Sequence, residues 1–291
     1  MYKLLTKLIS NLILLFIPAL CFAQTDRNSP QRAQQVMEAL AAAYPDRIEK
    51  AEFKDNDWTV LMKGIRYYYC GGRLLPEELK NKADDYSPQP FYNYMKELPA
   101  WKAPSAEESE RFKNMGENRS RSPIKRSPLF FDALWQAHTK DESQKQMKDI
   151  TFLNFKTTVH EGINVPLALV EKQILGEAKN DSQVRSWINN IDTITCWNWR
   201  TIADTQTRSY HAYGVAIDIL LKSQGGKETY WLWAARRKPE WWNIPYSDRL
   251  HPPVKVIKAF ESQGFIWGGK WLFFDTMHFE YRPEIFLLRG E

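Results

Sequence analysis

Two of the five histidines in this 291-residue chain stand in company that could do chemistry. His211 opens the run Ser209-Tyr210-His211-Ala212-Tyr213-Gly214-Val215-Ala216-Ile217-Asp218. Val215, Ile217, Ile219 and Leu221 alternate as one face of a strand, which puts Asp218 on the opposite face. A carboxylate in an apolar strand is costly unless it is paired or bound to a cation. His278 lies between Met277 and Phe279 on the polar face of another alternating segment, with Asp275 three residues before it. If these strands are neighbours, His211, Asp218 and His278 converge. Two imidazoles and a carboxylate suit Zn²⁺, and three protein ligands leave a fourth position for water. Asp275 is then placed as a general base, and Arg200 as a partner for an oxyanion. The competing reading is histidines satisfied within a core.

The elements that must position these groups are legible over 149–291. Thr193–Trp199 reads as a strand, as does Leu153–Val159 by its alternation. Pro166 opens a helix with Leu167, Val170 and Ile174 on one face, and Pro253 opens another with Val256, Ile257 and Phe260 inward. The order strand, helix, strand, strand, helix, strand predicts an α+β fold with a small, mainly antiparallel sheet and flanking helices. Residues 24–148 read as an N-terminal extension of mixed structure and unassigned role, expected to pack against the later domain and, through the stretch 86–104, to wall part of its cleft. They hold a helix ending before Pro45, a strand over Trp58–Tyr69, a Pro- and aromatic-rich extended stretch over 86–104, and a charged loop over 105–127.

Residues 1–23 have the pattern of a cleaved secretory signal: Lys3 and Lys7, an interrupted apolar run from Leu8 to Leu20, then Cys21-Phe22-Ala23 before Gln24. A lipid-modified Cys21 is the weaker alternative, because bulky Leu20 precedes it. The expected location is outside the cytoplasm, in a periplasm or at the cell wall, with no stable membrane span once the signal is cut. The formal charge of +5 includes the two leader lysines and is too mild to argue for nucleic acid. The basic run Arg119–Arg126 reads as a solvated loop. Cys70 and Cys196 remain after cleavage as a candidate disulfide or as two separate buried thiols. The 12 tryptophans read mostly as core.

The two motif segments resemble the VanY-like zinc D-alanyl-D-alanine carboxypeptidases and L-alanyl-D-glutamate endopeptidases, which share a fold with the hedgehog signalling domain. The family pattern Ser-x-His-x-x-Gly-x-Ala-x-Asp is met by Ser209, His211, Gly214, Ala216 and Asp218. Its second pattern, an acid, two residues and the last histidine, is met by Asp275 and His278. Gly-Phe-x-Trp-Gly-Gly-x-Trp over 264–271 is similar to the endopeptidase branch. The resemblance covers roughly 149–291. It implies Zn²⁺ on His211, Asp218 and His278, Asp275 as the catalytic base, and Arg200 holding substrate or oxyanion. Ser209, Trp267 and Trp271 are candidates for binding peptidoglycan stem peptides. It leaves open carboxypeptidase against endopeptidase action, with Arg200 or Arg208 available for a terminal carboxylate. A non-catalytic zinc-containing wall-binding or signalling module is the alternative.

Overall fold

The computed structural model describes residues 27–119 and 124–288; the expected signal segment lies outside them. The first half opens with α1 (Pro30–Ala43), whose start is fixed by the Ser29 hydroxyl accepting from the Arg32 N–H at 3.2 Å and by Pro30 at the first helical position. Val36 and Leu40 fall on its buried face. An antiparallel meander follows: β1 (Lys50–Lys54), β2 (Asp57–Met62), β3 (Ile65–Tyr68) and β4 (Leu75–Pro76). The expected single strand over Trp58–Tyr69 is therefore a hairpin. Lys63 and Gly64 turn it with φ of 51° and 76°, the doubly positive geometry of a tight two-residue loop.

Chain then runs largely extended to Ser105, apart from a 3₁₀ stretch at Glu77–Asp85 and the short β5 (Tyr86–Ser87). The charged segment expected as a loop is instead largely α2 (Ala106–Asn118). Ser105 and Glu108 cap it reciprocally at 3.1 and 2.9 Å, and Phe112 buries its inner face. β6 (Lys125–Arg126) pairs in parallel with β5. α3 (Leu129–Trp135) and α4 (Lys140–Lys145) lead into the second half.

The hairpin β7 (Met147–Phe152) and β8 (Phe155–His160) comes next, followed by α5 (Asn164–Ala178) and α6 (Ser182–Asn189). The remaining elements are β9 (Ile191–Thr195), β10 (Ala216–Leu221), α7 (Trp231–Ala235), α8 (Val254–Ser262), β11 (Phe265–Trp267), β12 (His278–Tyr281) and α9 (Pro283–Leu287). The site-bearing sheet has the order β11-β12-β10-β9, antiparallel throughout. α5 and α8 bury Val170, Ile174, Val256 and Phe260 beneath it, and Phe260 stacks on Phe279 of β12 at 3.9 Å. This is the α+β arrangement with flanking helices that the sequence predicts.

The two halves share one buried cluster, which runs from Val36 and Leu40 through Phe131 and Trp135 to Phe279 and Ile285. Polar ties cross the same boundary. The Tyr44 hydroxyl donates to Glu284 at 2.7 Å, both buried. His160 is wholly buried and caps the 3₁₀ turn Glu161–Ile163 that follows it. Its Nδ1 accepts from the Gly162 N–H at 2.9 Å while Nε2 faces the Trp135 carbonyl at 3.0 Å. That partner set fits one tautomer of a neutral ring, and protonating Nδ1 would lose the Gly162 bond. Burial accordingly lowers its pKa from 6.5 to about 4.

A neutral native ring against an unfolded ring titrating near 6.5 makes the unfolded state bind more protons between those values. His160 therefore contributes stability that is complete above about pH 6.5 and is lost as pH falls towards 4, amounting to about 3 kcal/mol. Urea midpoints measured between pH 7 and 4.5 should fall more steeply for the wild type than for His160→Gln. Parallel curves would remove His160 as a source of acid sensitivity.

Candidate metal centre

The register of β10 and β12 sets two of the three groups. Asp218 is the direct cross-strand partner of His278, with Ala216 opposite Glu280 and Ile217 opposite Phe279. Directly opposed residues have Cβ atoms about 5 Å apart on one face of the sheet, so the carboxylate and imidazole meet without a loop to place them. Asp218 Oδ1 lies 2.7 Å from His278 Nδ1.

His211 comes from a 3₁₀ turn, Tyr210–Tyr213, whose first N–H groups are capped by the Ser209 hydroxyl (3.3 Å to the His211 N–H). Gly214 ends the turn in the left-handed region, φ 67°. A Cβ there would lie 2.5 Å from Met147 Sδ and 2.8 Å from the His160 backbone nitrogen, so both conformation and space demand glycine. The His211 Nδ1–H donates to the Cys196 carbonyl at 2.5 Å, which fixes the tautomer and turns Nε2 inward. That Nε2 lies 3.2 Å from His278 Nδ1 and 3.1 Å from Asp218 Oδ2.

One ligand atom from each of His211, Asp218 and His278 lies within 4.8 Å of the others. Four ligands at Zn–N and Zn–O distances near 2 Å stand about 3.3 Å apart in a tetrahedron, close to the separations found here. Burial alone would raise Asp218, but the two imidazoles outweigh it and hold the carboxyl well below the usual range. Burial would lower His278, and Asp218 outweighs it to raise that imidazole well above its ordinary value. On its far side His278 Nε2 faces Glu280 Oε1 at 3.1 Å, a carboxylate that orients the ring. Glu280 also lies 3.9 Å from Arg282.

Asp275 ends the β11–β12 connection and is half-buried beside this trio. Its Oδ1 is out of solvent and has no hydrogen-bond partner. Burial, and then the charge on Asp218, pushes its carboxyl up to about 7. Such a group can take and return a proton near neutral pH.

These side chains line a cavity of about 510 Å³. Ser209, Arg200 and Trp271 line it too, with Arg200 at the exposed rim donating to the Thr201 carbonyl at 3.2 Å. Trp271 approaches His278 at 5.5 Å between ring centres, and its Nε1–H donates to the Tyr92 hydroxyl at 2.7 Å. Trp267, expected in the same groove, is instead core. It is buried against His251, and its Nε1–H donates to the Thr276 carbonyl at 2.9 Å. Arg208 is engaged by the buried Asp132 carboxylate and the Ala137 carbonyl, which withdraws it from any role with a substrate carboxylate.

Part of the cavity wall comes from the first half of the chain, as expected of the stretch 86–104. Pro90, Tyr92, Arg119 and Arg126 reach it from the first half of the chain. Arg119, read as part of a solvated run, is buried, with its guanidinium over the rings of Phe273 and Trp231 at 4.9 and 5.6 Å. The thiols are not paired with each other: Cys70 is free and only half-buried, not buried as the second alternative has it, and buried Cys196 Sγ–H donates to the Gly214 carbonyl at 3.3 Å.

Residues 203–281, the segment that holds all three convergent groups and Asp275, match the family described as D-alanyl-D-alanine carboxypeptidase. Residues 36–91 match a domain of unknown function. No solved structure matches the chain. That match and the motifs it spans make the 203–281 segment similar to the VanY-like D-alanyl-D-alanine carboxypeptidase family.

Proposed function

We propose that this protein is an exported zinc peptidase that hydrolyses amide bonds in peptidoglycan stem peptides. The observation that carries the reading is the convergence of His211 Nε2, His278 Nδ1 and Asp218 within a few ångströms beside a carboxyl without a partner. A zinc ion held by those three residues would supply Lewis acidity and an acidified water. Asp275 takes the proton of the attacking water and delivers it to the leaving amine, so that the C–N bond breaks with a neutral amine departing. Arg200 at the rim balances negative charge on the carbonyl oxygen or on a terminal carboxylate. His211 is held in its inward tautomer by Cys196, and His278 by Glu280, so neither ring reorganises during the reaction. Export rests on the leader pattern of residues 1–23, and no helix of the described residues is long and apolar enough to cross a membrane.

Digestion of purified muropeptides, with the fragments identified by mass, tests this reading and names the bond. Release of free D-alanine marks a carboxypeptidase, and release of a peptide lacking its L-alanine marks an endopeptidase. Intact muropeptides after incubation with zinc-loaded protein would favour the non-catalytic wall-binding alternative.

A further inference from the structure

The cavity lining is rich in arginine. Arg119, Arg126, Arg200 and Arg282 face Asp218, Asp275 and Glu280 there, so four guanidinium groups stand against three carboxyls before any divalent cation is added. Two of the four are provided by the first half of the chain. Arg126 is set by β6: its neighbour strand β5 pairs with it, its N–H donates to Thr207 Oγ1 at 3.3 Å, and Gln89 donates to the following Ser127 carbonyl at 2.8 Å. Its side chain faces Tyr210, Glu280, Arg282 and Tyr92. Arg119 is held over two aromatic rings at the end of α2. Burial lowers the pKa of both.

The acids nearby are already engaged. Glu280 touches His278 and Arg282, and Glu284 is bound by Arg282 and by Tyr44. A further observation falls in the same corner. Tyr210 lines the cavity, yet its hydroxyl is buried without a hydrogen-bond partner. An oxygen-rich ligand group between Arg126 and Tyr210 would meet a charged donor and an unused hydroxyl.

We propose that Arg126, assisted by Arg119, forms a second carboxylate-binding subsite beside the metal centre, and that the substrate is a peptide with a free acidic group next to the scissile bond. This rests on the peptidase reading and deepens it: the region before residue 149 sets which stem peptides are accepted. Arg200, exposed at the rim, remains available for a separate carboxylate. The substrate is accordingly a peptide with two carboxylates, and amidating the inner one removes the group that Arg126 holds.

The probes are the synthetic pentapeptide L-Ala-γ-D-Glu-L-Lys-D-Ala-D-Ala, which holds both candidate bonds, and the same peptide with its D-glutamate α-carboxylate amidated. Zinc-loaded wild type should favour the acid peptide in kcat/KM by about 10–100-fold, the range of one charge-assisted contact. In Arg126→Met that ratio should collapse towards one, mostly through KM. Arg126→Lys should give an intermediate ratio, since it keeps the charge and loses the planar fork. A purely structural Arg126 would lower both peptides alike, and an unchanged ratio in Arg126→Met, or equal rates for the two peptides in the wild type, overturns the subsite. If the wild type cleaves neither peptide, the peptidase reading fails while the subsite is still decided by calorimetry. Tighter binding of the acid peptide to wild type than to Arg126→Met supports it, and equal or absent binding overturns it.

Discussion

Replacing Asp275 with asparagine should leave zinc bound and reduce peptide hydrolysis by about 10²–10⁴-fold, the usual contribution of a general acid–base group. The variant keeps the size of the side chain and removes only the ability to carry a proton. Asp275 stands outside the three residues whose ligand atoms converge, so metal content should not follow activity. Folding should not suffer either. Oδ1 has no hydrogen-bond partner and burial already disfavours the charged form, so an uncharged amide removes a cost rather than a contact. The check is a paired measurement of zinc per chain and of turnover. A variant with normal zinc and near-normal turnover would take Asp275 out of the mechanism. A variant that loses both would make it a ligand.

The part of the site that could be read from sequence is the part built locally or by strand alternation. His211, Gly214 and Asp218 lie within eight residues, and one turn and one strand place them. Alternation puts Asp218 and His278 on the polar faces of β10 and β12, and the antiparallel pairing of those strands does the rest. Ser209, expected to bind peptide, also has a local part: its hydroxyl caps the turn that presents His211.

What stayed hidden depends on closure of the whole chain. Arg119 and Arg126 acquire a cavity only because α2 and the β5–β6 ladder fold back over the second half. No local pattern distinguishes them from a solvated basic run. Trp267 shares its motif with Trp271, but β11 is buried on both faces, so the indole becomes core while its neighbour past the Gly268–Lys270 turn reaches the cavity. His160 is buried because Trp135 of α3 covers it, a contact from outside its own half.

Other misses had usable signals. Ser105 and Glu108 form a capping box that marks the start of α2, and Gly64 marks the β2–β3 turn. The second hairpin turn offered less, since Leu153 at φ 49° is an unusual residue for that geometry and is held there by its N–H donating to Glu171 at 2.6 Å.

The central claim is that His211, Asp218 and His278 hold a zinc ion, and metal analysis of wild type against His278→Ala tests it most directly. His278 is both a member of the trio and the direct cross-strand partner of Asp218. Loss of an outer hydrogen-bond partner already weakens metal binding by about 10–100-fold, so loss of an imidazole ligand should weaken it further. The fold should survive, because β12 is held by its ladders to β10 and β11 and by Phe279 stacked on Phe260. After dialysis at low free zinc, the account predicts one zinc per chain in the wild type and close to none in a folded His278→Ala protein. Equal zinc in both, or none in the wild type, would contradict it.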